Sequence, residues 1–227
     1  MVHNRYGEFK ENGIFKNDDK PNYYLHQKSF NGEVFWGIIG LASLDDYQNS
    51  VIKKHENTLG EREALFGNYL EKTGFNAEPV LITYPDNDFL SSLILKYRPL
   101  RAEYEFTTNK NRTHLMWLIE QEDEVHQITE AFNTIPSLYI ADGHHRYNAA
   151  LAYKEELNNS GTLPGFRPEN FIMMHLCPME GEVGSILSPH RLVRLPGIAA
   201  VSELIDKLRD VFEVEELQEC SRETLIN

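Results

Sequence analysis

The sequence predicts an α+β fold with an α/β-like alternation, in which helices flank a mixed sheet. Short apolar runs rich in β-branched and aromatic residues alternate with longer stretches of helical periodicity. The clearest instance is 137–161, where an apolar run ends at Asp142-Gly143 and helical spacing begins at His144. We therefore expect a strand, a tight turn and a helix in this segment.

Composition narrows the class of protein. The chain has 227 residues, 41% of them hydrophobic, and a net charge of −13 with neutral histidine. Its length is ample for a hydrophobic core. A strongly acidic protein lacks the positive field that a broad nucleic-acid or membrane surface requires. A local basic pocket remains compatible with this charge.

The cysteines and the apolar runs indicate the compartment. Cys177 and Cys220 are the only cysteines, and their spacing matches neither a disulfide framework nor a zinc motif. Residues 1–20 are polar and do not resemble a secretory signal, and no apolar run approaches the ~20 residues of a transmembrane helix. We expect a cytoplasmic protein.

The N-terminal part of the chain predicts an arm followed by a hairpin. Residues 1–22 are polar and are interpreted as a connector or frayed arm. The strand-like runs 23–30 and 33–41 are separated by Asn31-Gly32, a strong hairpin signal. Residues 43–46 supply an N-cap and acidic residues for a short helical turn.

The remaining elements follow from periodicity and turn signals. Strands are expected over 78–84, 102–107, 113–120 and 171–176, and a further strand begins within 211–217. Helices are expected over 61–73, 89–97, 123–132 and 201–210. In the first of these helices, the inward residues are predicted to be Ala64, Leu65, Phe66 and Tyr69. The central helix is expected to turn Tyr147, Ala150, Leu151 and Leu157 inward and to stop at Gly161. Residues 178–184 are interpreted as a mobile acidic loop.

The start of the central helix is the first candidate site. Asp142 stands at the tip of a strand, and His144, His145 and Arg146 occupy the first helical turn. That turn has unpaired backbone N–H groups and the positive end of the helix dipole, so it favours an anion such as phosphate. The alternative is that Asp142 caps the helix and the basic residues are solvated. Basic residues oppose the dipole at this end, so their clustering favours the anion site.

Two further pairs are weaker candidates. His55-Glu56 fails the zinc-peptidase spacing because Leu59 stands where a second histidine is required. His190-Arg191 by itself is typical of a strand edge. A metal site built from Glu56, His144, His145 and His190 stays open, although adjacent helical residues point about 100° apart and do not easily share one ion.

These segments resemble a known family. Residues 141–146, the upstream 54–58 (Lys-His-Glu-Asn-Thr) and the downstream 188–193 (Ser-Pro-His-Arg-Leu-Val) resemble a large bacterial and archaeal domain-of-unknown-function family, number 1015. The Asp-Gly-His-His-Arg segment and the His-Glu pair also resemble nucleotide-dependent free-serine kinases. Those kinases share a core with the ParB nucleotide-binding domain and sulfiredoxin, and the resemblance spans roughly residues 23–217.

The resemblance implies roles for particular residues. It implies that Glu56 is the general base and that Asp142 orients the nucleophile or a magnesium ion. Nucleotide phosphates would be held by Gly143, His144, His145 and Arg146. The pair His190 and Arg191 would close over phosphate or bind the carboxylate of the amino acid.

Two functions from different classes follow from this resemblance. The first is a kinase that uses ATP or ADP with Mg²⁺ to phosphorylate free L-serine or a similar amino acid. The second is a non-catalytic nucleotide-binding regulator like ParB. A sulfiredoxin activity is disfavoured because the turn at 142–146 has no cysteine. The expected organisation is an arm and hairpin over 1–49, a nucleotide-binding core over 50–195, and a truncated helix-strand region over 196–227.

Overall fold

A computed structural model describes residues 2–55, 60–159, 167–179, 193–194 and 196–215. The chain divides into two compact units, Met1–Gly184 and Ser185–Asn227. Eight strands are described in the first unit: β1 (Tyr23–Phe30), β2 (Glu33–Ser43), β3 (Ile52–Lys53), β4 (Val80–Tyr84), β5 (Tyr104–Thr107), β6 (Thr113–Ile119), β7 (Leu138–Asp142) and β8 (Phe171–Pro178).

Six α-helices are described in the same unit: α1 (Val2–Glu11), α2 (Asp45–Gln48), α3 (Gly60–Thr73), α4 (Asp88–Tyr97), α5 (Glu122–Thr134) and α6 (His144–Asn159). A 3₁₀ turn at Pro168–Asn170 precedes β8. In the second unit the described helix is α7 (Ile198–Arg209). Among the described residues, no helix combines the length and the apolar character needed to cross a membrane.

The strands form one mixed sheet. Its order is β3-β7-β4-β8-β2-β1-β6-β5. The pairs β3–β7 and β4–β8 are parallel, and the other neighbours are antiparallel. The α+β class with a mixed sheet is confirmed.

The β1–β2 hairpin is formed by local turn chemistry. Asn31 and Gly32 both have positive φ angles, 53° and 84°. Two consecutive positive φ values are what a type I′ turn requires, and the Asn-Gly pair adopts them readily. The predicted hairpin is confirmed.

The hydrophobic core lies on one face of the sheet. Alternate strand residues share a face, and Leu25, Trp36, Ile38, Ile82 and Ile140 belong to the buried core cluster. The helices contribute Leu70, Leu90, Ile128 and Tyr147 to the same cluster. The strand residues that alternate with these core residues point to the other face of the sheet. That face is less buried, and its exposed residues include Leu41, Tyr104, Phe106 and Tyr139.

Three expectations about local structure are wrong. The N-terminal arm contains helix α1, because sparse aromatic residues anchor it: the ring of Tyr6 lies 4.4 Å from that of Phe75. In α3, Ala64 and Leu65 are exposed, Leu70 and Thr73 are buried, and Tyr69 packs against the core, so the inward face is rotated from the predicted one. Residues 211–215 contain no strand.

Other expectations lie partly outside the described residues. The residues that the structure does not describe include the expected helix stop at Gly161. They also include residues 180–184 of the expected acidic loop and residues 216–217 of the expected last strand. Pro178, the first residue of the expected loop, is the last residue of β8. The predicted domain boundaries stay predictions.

Candidate functional site at one edge of the sheet

Three strand ends meet at one edge of the sheet. Strands β3 and β7 run parallel, with Lys53 opposite Tyr139, so both strands end at this edge. His55 stands two residues after β3, and Asp142 is the last residue of β7. Strand β4 runs antiparallel to β7, with Leu81 opposite Asp142, and therefore begins at the same edge. Segments far apart in sequence are thus brought together where α6 starts.

The turn between β7 and α6 requires glycine. Gly143 has a φ of 98°, which side-chain-bearing residues rarely adopt. A Cβ atom at this position would lie 2.9 Å from Nη2 of Arg146, because the guanidinium covers the turn. The carbonyl of Gly143 accepts the first helical hydrogen bond, from the N–H of Tyr147 at 3.0 Å.

Arg146 is held on both sides of the turn. Its Nη2 donates to Oδ2 of Asp142 at 2.7 Å, and its Nη1 donates to Oε2 of Glu78 at 3.0 Å and to the carbonyl of Pro79 at 2.9 Å. The guanidinium side chain is 18% exposed, whereas the two carboxylate side chains are 73% and 76% exposed. Arg146 therefore ties the end of β7 to the segment before β4, and Asp142 is its ion-pair partner.

His144 is a buried residue and not part of a solvated turn. It is 5% exposed, and its ring lies edge-on to that of His55, with 4.6 Å between centroids. His145 and Arg146 are half-buried. The contact between His55 and His144 joins the two sequence segments that were singled out independently.

Helix α6 is anchored by polar contacts beyond its first turn. The buried hydroxyl of Tyr147 donates to the carbonyls of Ser43 and Leu44 at 3.3 and 3.2 Å, and burial raises the pKa of this hydroxyl. Asn148 donates to Glu63 of α3 at 2.9 Å. These contacts lie about one turn into the helix, so they fix its N-terminal end relative to the sheet and to α3.

A cavity of about 300 Å³ adjoins the turn. Its walls come from α3, from the segment before β4 and from Arg146. The lining residues are Phe66, Tyr69, Leu70, Asn76, Ala77, Glu78 and Arg146. The guanidinium of Arg146 is thus shared between the cavity and the Asp142 turn.

The predicted site residues fall into two groups. Asp142, Gly143, His144, His145 and Arg146 lie together at this edge. Glu56, His190 and Arg191 lie outside the described residues, so their predicted roles stay predictions. Within the described ranges, no group of three or more His, Cys, Asp or Glu side chains is arranged to bind a metal ion.

A row of three histidines was not predicted from the sequence. His26 of β1 lies between the other two: its Nε2 is 2.9 Å from Nδ1 of His114 on β6, and its Nδ1 is 3.2 Å from Nε2 of His175 on β8. Sγ of Cys177 is 3.7 Å from Nδ1 of His175. We call His26, His114 and His175 the histidine row. Its only signal in the sequence is one histidine in each of three strand-like runs, which does not predict strand order.

The histidine row is neutral at pH 7. Burial is the main cause that lowers the pKa of His26 to about 3 and that of His175 to about 4, and the neighbouring histidines and Lys28 act in the same direction. Burial also lowers the pKa of His114 and raises that of the Cys177 thiol to about 12. Gly37 makes room for the row, because a Cβ there would lie 2.4 Å from Nε2 of His175.

The protein is thus an α+β protein in which a glycine turn leads from β7 into α6. The guanidinium of Arg146 covers this turn, and His144, the first residue of the helix, is buried. The chain belongs to the family described as protein of unknown function (DUF1015), whose family model matches residues 1–226. No curated protein and no solved structure matches the chain. Membership of this family is therefore established, and the kinase and ParB-like core resemblances stay predictions.

Proposed function

We propose that the protein is a nucleotide-dependent kinase that phosphorylates the hydroxyl of free L-serine or a similar amino acid. The observation that supports this most is the contact of the His55 and His144 rings, with centroids 4.6 Å apart. It brings the residue next to Glu56 against the Asp-Gly-His-His-Arg segment, and the family resemblance assigns the base and the phosphate-binding residues to these two segments. Phosphoryl transfer depends mainly on such positioning and on charge neutralisation.

The proposed reaction divides roles among this chain's residues. Glu56 takes the proton from the serine hydroxyl, and the hydroxyl oxygen forms a bond to the terminal phosphorus of the nucleotide. The bond from that phosphorus to the bridging oxygen breaks, and the nucleotide leaves one phosphate shorter. The helix start at Gly143–Arg146 binds the phosphates, and His190 with Arg191 holds phosphate or the amino acid's carboxylate.

The charges around Arg146 fit a nucleotide that arrives with magnesium. Arg146 is flanked by Asp142 and Glu78, so the three side chains together carry one negative charge. Asp142 is 73% exposed and offers hard carboxylate oxygens. Mg²⁺ is usually bound by one or two carboxylates plus phosphate oxygens and water, and it neutralises phosphate charge when bound. Asp142 is the residue that would hold it.

Replacing Arg146 tests the phosphate site. We expect Arg146→Ala to weaken ADP binding by about 1.5–3 kcal/mol, the range for a hydrogen bond to a charged group. Isothermal titration calorimetry with Mg²⁺ present measures the effect. Arg101→Ala is the control, because Arg101 is exposed and its replacement removes the same positive charge from the protein. Unchanged affinity in Arg146→Ala would remove this residue from the site.

The metal requirement gives a second test. We expect nucleotide binding to require Mg²⁺ and to be lost with chelator, and we expect the purified protein to hold no zinc. The reason is that Asp142 and Glu78 offer hard carboxylate oxygens, and that the described residues contain no group of three His, Cys, Asp or Glu side chains arranged to bind a metal ion. Metal analysis that finds stoichiometric zinc bound by the site histidines would contradict this assignment.

The function itself is tested by turnover. The protein is incubated with ATP or ADP, Mg²⁺ and each free amino acid, and phosphorylated product is detected by mass spectrometry. Serine or a similar hydroxy amino acid is the expected acceptor. If nucleotide binds and no amino acid is phosphorylated with either donor, the kinase proposal falls and the nucleotide-binding regulator replaces it.

A further inference from the structure

We propose that the cavity beside Arg146 is a nucleobase subsite, an inference that rests on the proposed nucleotide-binding function. The cavity measures about 300 Å³, which is at the lower end of the range of small-molecule pockets and is enough for one heteroaromatic ring system. It adjoins the turn to which the proposal assigns the phosphates. A nucleotide needs these two environments side by side.

The first feature that favours a base is the aromatic wall. Phe66 and Tyr69 of α3 both line the cavity, with Leu70 beside them. Leu70 is 9% exposed and belongs to the hydrophobic core, so that side of the cavity is anchored to the rest of the fold. Stacking of bases on aromatic side chains is favourable for every base, because each base has a π face.

The second feature is the polar rim. Asn76 and Glu78 line the same cavity and precede β4. An amide has both donors and acceptors, and a carboxylate accepts from exocyclic amines or ring N–H groups. One oxygen of Glu78 accepts from Arg146 at 3.0 Å, which orients the carboxylate at the rim. This set of groups suits the hydrogen-bonding edge of a purine or pyrimidine better than an apolar ligand.

The third feature is the guanidinium that separates the two environments. Arg146 lines the cavity and also bonds Asp142 at 2.7 Å and Glu78 at 3.0 Å. A ligand with its base in the cavity and its phosphates at the Gly143 turn would contact this one side chain from both sides. Arginine stacks on flat rings as well as binding phosphate, so it suits that shared position.

The test separates the base subsite from the phosphate site. Binding of ADP and of tripolyphosphate, each with Mg²⁺, is measured by calorimetry on the full chain and on Phe66→Ala. Phe66 is half-buried and is not part of the core cluster, so its replacement should leave the fold intact, which circular dichroism checks. Leu65→Ala is the matched control, because Leu65 is the preceding residue, is 68% exposed and does not line the cavity.

We expect Phe66→Ala to weaken ADP binding by about 5- to 140-fold, the range for loss of one base–aromatic contact, and to leave tripolyphosphate binding unchanged. Phe66→Trp should restore ADP binding, and Leu65→Ala should bind both ligands like the parent. If the parent binds both ligands and Phe66→Ala binds ADP equally well, the base subsite is wrong and the proposed nucleotide site survives. If the parent binds neither ligand, the proposed function and the subsite both fall.

Discussion

Glu56→Gln is expected to slow phosphorylation of serine at least ~100-fold while leaving nucleotide binding close to that of the parent. A hydroxyl that attacks phosphorus must lose its proton, and a positioned carboxylate base typically contributes ~10²–10⁴-fold to the rate. Glutamine keeps the shape of the side chain and cannot accept the proton. Because the loss falls on the chemical step, kcat should fall with little change in nucleotide affinity.

The comparison needs an active parent and a matched carboxylate. Single-turnover phosphorylation and calorimetric ADP binding are measured on the parent, on Glu56→Gln and on Glu71→Gln. Glu71 is an exposed residue of α3, so its replacement should change neither quantity. A parent that phosphorylates serine and a Glu56→Gln variant that is equally fast would leave the family assignment intact and remove Glu56 as the base.

Acid is expected to destabilise the protein by about 2–4 kcal/mol between pH 7 and pH 5 through the histidine row. His26 and His175 have folded-state pKa values of about 3 and about 4, against roughly 6.5 in the unfolded chain. The unfolded state therefore binds more protons below about pH 6.5. The contribution of these two histidines to the free energy of unfolding is therefore fully present above about pH 6.5. Below that pH it falls by about 1.36 kcal/mol per histidine and pH unit, until the pH reaches the folded-state pKa of each histidine.

The physical reason is that, among the residues that the structure describes, the charged groups acting on the row are all positive and none would stabilise a protonated histidine. The charged groups that act on it are Lys28 and Arg112, which are both positive, and Cys177 remains a neutral thiol. A protonated His26 would also donate from both ring nitrogens. The neighbouring nitrogens of His114 and His175, 2.9 and 3.2 Å away, would then both have to accept a hydrogen bond.

Urea unfolding between pH 5 and pH 7.5 measures this effect. His26→Gln removes one titrating group. Near pH 5 the slope of the unfolding free energy against pH should therefore correspond to the uptake of about one proton fewer on unfolding. His126→Gln is the control, because His126 is an exposed histidine of α5 and its loss should not change the slope. Equal slopes in the parent and in His26→Gln would mean that the row is not held neutral in the folded protein.

The structural features that sequence predicted well are those formed by neighbouring residues. The Asn31-Gly32 hairpin depends on two positive φ angles within one dipeptide, and the Asp142-Gly143 turn on one more. Most strand and helix positions follow from apolar spacing in the same local way. The resemblance to the family likewise rests on short contiguous segments, so it does not depend on the tertiary structure, and the family model that matches residues 1–226 confirms it.

Arg146 illustrates where local reasoning was incomplete. Its place in the first turn of α6 predicted a side chain available to an anion. In the structure, Arg146 forms ion pairs with Asp142, four residues earlier, and with Glu78, which lies in the segment before β4. Helical spacing allows the first contact, but only strand order can supply the second.

The sequence by itself determined the class of fold, the hairpin, the glycine turn before α6 and the family. The tertiary structure decided which distant residues meet: His55 against His144, Glu78 against Arg146, and His26 between His114 and His175. Periodicity and turn residues encode local backbone geometry, so they determine where strands begin and end. The order of strands in the sheet depends on how the whole chain buries its apolar faces, and that order alone brings these side chains together.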